Sequence, residues 1–356
     1  MKRLFSVLCM GFAILSASAI EVTVEEAGTL KYELGNDYLT ITELKVTGPL
    51  NGTDLMTIRA MCGVDTSEEQ TGSGALEVLD LGNATFVEGG DAYLTNGAGP
   101  KYAEANAVGV ACFRHCRTLK SITLPETMTA IRRYSFYGCT HLEHVNITDN
   151  VTEINEYAFA QCKKLKELPN SKKLTKYESG LFIGIELEDI VIPDNIEYIG
   201  WYTFQEASNL VSITLGARTA QLSTCALKDV MTVEDIYIKW QGWEGATGQV
   251  IGGDWTNVFD TYNASGALVP CIEDADYAYI TVHVPDEAVE AYKAKSPWNK
   301  MNVVGLSATD GIKTVGKVSA DGVVARYTLE GKRLSTPVKG VNIEQMADGK
   351  TRKVVY

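Results

Sequence analysis

Six side chains in two neighbouring stretches are of the types that bind zinc: Cys112, His115 and Cys116, then Cys139, His141 and His144. Thiolate and imidazole together are the donors of structural zinc sites. A third stretch argues against that chemistry. Cys162 stands 23 residues after Cys139, as Cys139 stands 23 after Cys116, and no histidine accompanies it. A recurring position therefore accounts for these three cysteines, and such a position takes a small buried apolar side chain. Stacked units lie about 4.8 Å apart, within reach of a disulfide. Side chains projecting in parallel rarely adopt the dihedral the bond needs, so the ladder thiols are expected to be free. Cys62, Cys225 and Cys271 stand outside the ladder, and a bridge among them is left open.

Other reactive patterns are missing. There is no G-x-S-x-G, H-E-x-x-H, P-loop, C-x-x-C, or G-x-G-x-x-G followed by a helix, so no enzymatic activity, cofactor or metal is expected. The four histidines have no evident nucleophile partner. Glu273-Asp274-x-Asp276 lacks the remaining ligands of a calcium loop and reads as an exposed acidic turn.

The element that positions the ladder is a 23-residue period. Phe113, Phe136, Phe159 and Phe182 are each 23 apart, Phe204 follows after 22, and Leu227 takes the same place 23 later. Apolar residues recur six, nine and eleven places after this position, as in Leu119, Ile122 and Leu124, then Leu142, Val145 and Ile147, then Leu210, Ile213 and Leu215, then Val233, Ile236 and Ile238. The last two of each set differ by two, the period of a strand with one buried face. Self-similarity at such a period signals a solenoid whose units bury their apolar faces only against their neighbours. The predicted fold is therefore an α/β repeat, with short parallel β-strands stacked in a ladder and the Phe residues as core spine. Pro169-Asn170 interrupts the third unit, and the fourth, 187–192, is one residue short. The rhythm stops after Ile238. Residues 239–279 read as an insertion, and Ile280–Pro285 restores the strand. Ile236 to Val282 is 46 residues, twice 23, so a rung is hidden or looped out there. Asp286 is expected to cap a short helix that covers the last rung and ends at Pro297-Trp298.

The flanks differ in composition. Lys2 and Arg3, the apolar run Leu4–Leu15 and Ala17-Ser18-Ala19 read as an export leader over 1–19, leaving Ile20 as the first mature residue. Residues 20–106 read as an N-terminal β/helix cap. Its strand is expected to stop at Gly48-Pro49, its helix to start at Asn51-Gly52-Thr53 and end near Gly63, and Gly89–Asn106 is expected to be a loop. The repeats and their terminal helix occupy 107–306. Ser307–Gly311 reads as a linker, and 307–356 as a small C-terminal β module with hairpin signals at Glu330-Gly331 and Asp348-Gly349. That segment holds nine Lys or Arg against five Asp or Glu, whereas the whole chain carries −13. Nucleic-acid binding needs clustered basic residues, so the acidic body excludes it. No later apolar run is long enough to span a membrane.

The pattern Leu119-x-x-Ile122-x-Leu124-Pro125-x-x-Met128-x-x-Ile131-x-x-x-Ser135-Phe136-x-Gly138-Cys139 resembles the BspA-type leucine-rich repeat of surface and secreted proteins of Bacteroidetes bacteria. The resemblance covers 105–306. Val284-Pro285-x-x-Ala288-x-x-Ala291-Tyr292 is similar to the unit that ends such arrays, and Leu44–Asp54 to the cap that precedes them. Tyr327-Thr328-Leu329-x-Gly331-Lys332-Arg333-Leu334 resembles a C-terminal sorting module. The resemblance implies a leucine-rich-repeat solenoid, a secreted or cell-surface location, and adhesion or protein binding without catalysis.

Recognition is expected on the outward strand positions, which alternate with the buried ones: Ser121 and Thr123, His144 and Asn146, Asp189, Ser212 and Thr214, Asp235 and Tyr237. A protein ligand fits such an extended face. One alternative is a glycan stacked on Trp240, Trp243 and Trp255 of the insertion; another is a purely structural envelope component. Nothing in the sequence sets the oligomeric state.

Overall fold

Each 23-residue unit folds as one coil: a short strand, a connection, and a tight turn that carries the Phe. The computed structural model describes residues 19–239 except 220 and 224, residues 277–294 and 298–309, and strands at 260–262, 268–270, 323–327, 333–334, 341–346 and 351–355. These residues divide into two units between Glu186 and Leu187. The stretch expected to be a leader, apart from Ala19, lies outside the described residues, as do Trp240, Trp243, Trp255 and Cys271.

In the first unit, strands Ile20–Thr23, Glu43–Leu50, Val78–Asp80, Ser121–Thr123 and His144–Asn146 pair in parallel. The register sets Leu44, Leu79, Ile122 and Val145 side by side, all buried. A second parallel set, Ala107–Val108, Ala130–Ile131 and Glu153–Ile154, runs along the coils. No further front strand follows Asn146 among the described residues of this unit. Pro169 falls where the next would pair, and proline has no N–H to give. Phe113, Phe136, Phe159 and Phe182 are buried and stacked, with centroid separations of 5.3, 5.1 and 6.1 Å. They are the spine the period predicts.

The turns stack through alternate backbone amides. Ala111, Phe113 and His115 donate to the carbonyls of Arg133, Ser135 and Tyr137 in the next coil, at 3.0, 2.7 and 2.8 Å. Tyr134, Phe136 and Gly138 repeat this onto Glu156, Ala158 and Ala160, and Tyr157, Phe159 and Gln161 onto Ser179, Leu181 and Ile183. Aiming every second N–H along the stack goes with left-handed backbone at two positions per coil. Ala111, Tyr134, Tyr157, Gly180, Tyr202 and Cys225 share the first; His115, Gly138, Gln161, Gly184, Glu206 and Asp229 share the second. Only three of the twelve are glycine. The stack therefore outweighs a penalty of about 1 kcal/mol or more at each non-glycine residue. At Gly138, φ is 72° and an added Cβ would fall 2.6 Å from His115 Nδ1. Gly138→Ala is expected to cost about 1–2 kcal/mol, read from the urea midpoint at unchanged slope.

Because amides point forward along the stack, the first turn presents carbonyls with no coil behind them. The N-terminal cap supplies side-chain donors. Tyr93 Oη donates to Val110 O at 2.9 Å. Arg59 Nη1 donates to Cys112 O at 2.9 Å and Ala111 O at 3.1 Å, while its Nη2 reaches Asp65 O at 3.1 Å. Arg59 is 1% exposed. It projects from helix Gly52–Met61, which starts as expected: Asn51 accepts from Thr53 N, and Asp54 accepts from Asn51 N in return. Gly63 follows the helix at φ 77°. The fully buried Asp54 also holds Gly28 N and Leu30 N, tying down the entering chain.

Two expectations for the cap fail. The strand does not stop at Gly48-Pro49 but continues to Leu50, pairing Gly48–Leu50 with Ala84–Phe86. Its other neighbour ends at Thr23, opposite Thr47, so no strand on that side lacks the missing proline N–H. The stretch 89–106 is not a plain loop: Gly89–Leu94 pairs antiparallel with Lys101–Ala103. The glycines there allow a hairpin, and burial of Tyr93 and Leu94 anchors it.

In the second unit, strands Asp189–Val191, Ser212–Leu215, Asp235–Ile238, Thr281–Val284 and Asn302–Gly305 form a parallel sheet in that order. Ile236 pairs directly with Val282, so no other strand of this sheet lies between those two. Within the expected insertion Asp260–Tyr262 pairs antiparallel with Leu268–Pro270. The helical stretch Asp286–Lys293 does not end the sheet. It connects two parallel strands, and Asn302–Gly305 is the last. Asp286 is not the cap residue either; Pro285 holds that place, and Asp286 Oδ1 accepts from Ser307 N at 3.2 Å. The expected linker begins inside a short helix, Leu306–Thr309. Beyond it, Val323–Tyr327 pairs antiparallel with Arg333–Leu334 and Val341–Met346, and the latter with Thr351–Val355.

Candidate functional site

The outward residues of the first unit form two rows, because parallel pairing without offset sets equivalent positions of successive coils about 4.8 Å apart. One row runs Glu43, Val78, Ser121, His144; the other runs Glu21, Lys45, Asp80, Thr123, Asn146. His144 and Asn146 are exposed, while Ser121 and Thr123 are partly so. Lys45 Nζ pairs with Glu21 at 3.1 Å. Sequence reasoning named only the two later strands. The outward neighbours of Leu44 and Leu79 follow the same alternation and were readable from it.

In the second unit Asp189 and Val191 are exposed, and Ser212, Thr214 and Tyr237 are partly exposed. Ser212 Oγ donates to Asp189 Oδ1 at 2.6 Å. Asp235, expected on the exposed row, is not available there. It is 7% exposed and its Oδ1 lies 2.8 Å from His283 Nε2. His283 is itself buried and stacks on Tyr237, with centroids 4.2 Å apart and rings 7° from parallel. A carboxylate leaving water takes a hydrogen-bonding partner, and direct pairing of the two strands sets His283 beside it. The 46-residue spacing of Tyr237 and His283 was readable in the sequence, whereas the bond from His283 to Asp235 was not.

A further aromatic ridge lies on the turns of the first unit. Tyr134 and Tyr157 stack at 5.2 Å, Arg114 sits over Tyr134 and Tyr137, and Arg133 over Tyr134 and Tyr157. The two tyrosines are 23 apart, so the period carried the signal. Arg114 is also held by Glu68 at 3.1 Å.

Cys139 and Cys162 of the ladder pack in the core. Cys139 Sγ donates to Phe113 O and Cys162 Sγ to Phe136 O, each at 3.0 Å, and both thiols are fully buried. Burial pushes the Cys112 and Cys139 thiols well above their ordinary range, and the neighbouring Cys162 adds to it at Cys139. Such thiols are poor nucleophiles and poor metal ligands. Among the described residues no three His, Cys, Asp or Glu side chains gather where a metal could be held, and no helix is long and apolar enough to cross a membrane. The glycan alternative rests on Trp240, Trp243 and Trp255, outside the described residues.

Short parallel strands, one buried aliphatic row per face and a stacked Phe spine define a leucine-rich-repeat fold. Residues 106–234 match the BspA type Leucine rich repeat region in six copies. Comparison with curated proteins finds no match. Solved structures similar to the chain include a leucine-rich-repeat protein of T. pallidum, 24% identical, covering 37% of this chain and 64% of that one with a TM-score of 0.33. A leucine-rich-repeat protein of Bacteroides ovatus is 24% identical over 39% of each chain, with a TM-score of 0.30. The pneumococcal vaccine antigen PcpA is 18% identical, covering 75% of this chain and 55% of that one with a TM-score of 0.40. In each case the chain spans less than two thirds of the solved one.

Proposed function

We propose that this chain is an exported, non-enzymatic binding protein of the bacterial surface that engages a protein ligand through its polar sheet rows. Ser121, Thr123, His144 and Asn146 carry the contact in the first unit, and Asp189, Ser212, Thr214 and Tyr237 in the second. The single observation that supports this reading is the offset-free parallel register, which sets small polar side chains at regular spacing on a face whose opposite side is core. Such a face is rigid before binding, so little ordering cost falls on association. In this reading 1–19 is a removed leader, 20–106 a cap, 107–306 the repeat body, and 307–356 a module that sorts the protein to the surface.

The test is binding to a panel of extracellular-matrix proteins. Thr123→Lys and Asn146→Lys place a long cation on the rows of the first unit, and Thr214→Lys on those of the second, without touching the core. For a true ligand each is expected to weaken binding about tenfold or more, with the urea midpoint unchanged. Binding indifferent to all three removes the face. N-terminal sequencing of exported protein checks the leader: the first residue is expected to be Ile20.

A further inference from the structure

We propose that Cys62 and Cys116 form a disulfide that bolts the N-terminal cap to the first coil. Cys139 and Cys162 each give their thiol proton to a Phe carbonyl one coil back. Cys116 opens the same series, and no coil precedes it. The place behind it is taken by Cys62, the C-cap residue of helix Gly52–Met61.

Contacts on both sides fix this approach. Arg59, one helical turn before Cys62, holds Cys112 O at 2.9 Å. Met61 O accepts from Leu76 N at 3.0 Å, and Leu76 O accepts from Thr118 Oγ1 at 2.7 Å. Residues 112 and 118 are thus both tied to the end of that helix. Cys116, between them, takes a hydrogen bond from Cys62, and the structure holds both as free thiols. Both are fully buried. The objection to bonds between stacked rungs does not apply, since one sulfur comes from a helix terminus and the other from a turn.

The two thiols are not equivalent. Burial raises the Cys116 thiol, but the hydrogen bond from Cys62 and the Arg59 charge outweigh it and hold it below its ordinary value. The same contact, with burial, pushes Cys62 well up. The thiolate of one cysteine displaces one thiol from a disulfide donor, such as oxidised glutathione or a thiol–disulfide oxidoreductase, and forms a mixed disulfide. The other cysteine then loses its proton and displaces the second thiol. The donor gains two electrons and two protons and leaves as two thiols. Because both sulfurs end up buried, the bond forms during folding, before the cap closes. Its formation in the cell rests on the export reading above; its formation in a redox buffer does not.

The full chain is refolded in a glutathione redox buffer, alkylated in denaturant, and digested with trypsin without reduction. Cleavage after Arg114 and Arg117 separates Cys116 from Cys112. The expected result is a peptide pair joined through Cys62 and Cys116, with Cys112, Cys139 and Cys162 alkylated. Adding reductant to the folded wild type is expected to shift its unfolding equilibrium on the order of a hundredfold, with no shift in Cys62→Ser or Cys116→Ser. Alkylated Cys62 and Cys116, or Cys62 joined to Cys225 or Cys271, overturns the proposal. The wild-type map decides even if a variant does not fold, and a leader that is never cleaved leaves it standing.

Discussion

Arg59→Met is expected to destabilise the first unit by about 3–5 kcal/mol. The guanidinium is buried and spends its donors on backbone carbonyls: Ala111, Cys112 and Asp65. Methionine fills similar space but leaves those carbonyls dry, and each orphaned acceptor costs about 1–3 kcal/mol. The loss is softened because a desolvated charge goes with it. Lysine is not expected to rescue, since a single ammonium cannot span Cys112 O and Asp65 O as a planar fork does. Urea unfolding measures the size of the effect, and amide exchange at 111–116 shows where the structure opens first. An unchanged midpoint would mean that water can take over the carbonyls, and the capping role would be lost. Tyr93→Phe, which removes only the donor to Val110 O, is expected to cost about 1 kcal/mol by the same measure.

Phe136→Ala should be comparably severe, at about 3–5 kcal/mol. Its ring lies between Phe113 and Phe159 at 5.3 and 5.1 Å and is fully buried. Truncation opens a cavity in the middle of the stack, and the coils cannot close on it because their spacing is set by backbone hydrogen bonds above and below. Phe136→Leu refills part of the space and should cost about half as much or less. Ligand binding per folded molecule should not change, because the ring faces away from the polar rows. A specific loss of binding by folded Phe136→Leu would place recognition on the turn side rather than on the sheet.

The repeat was legible because its physics is local and periodic. A buried position recurs every 23 residues, so Phe113, Phe136 and Phe159 announce a spine, and Ile122 with Leu124 announce a strand. The outward rows followed from alternation, except at Asp235, which is buried. The cap helix could also be read, since the bonds from Thr53 N to Asn51 and from Asn51 N to Asp54 span three residues or fewer. Pro49 misled because its missing N–H matters only if a neighbouring strand needs it, and that neighbour had already ended at Thr23.

By itself, then, the sequence determined the coil, its core residues and most of the face they leave exposed. Tertiary structure alone decided how the series begins and which exposed positions survive. Arg59 reaches Cys112 from 53 residues away, His283 reaches Asp235 across 48, and Cys62 stands behind Cys116. None of these separations is a multiple of the repeat. Each arises because a backbone carbonyl, a carboxylate or a thiol is taken out of water at the point where the periodic pattern stops. The partner that satisfies it comes from whichever segment the fold happens to bring there.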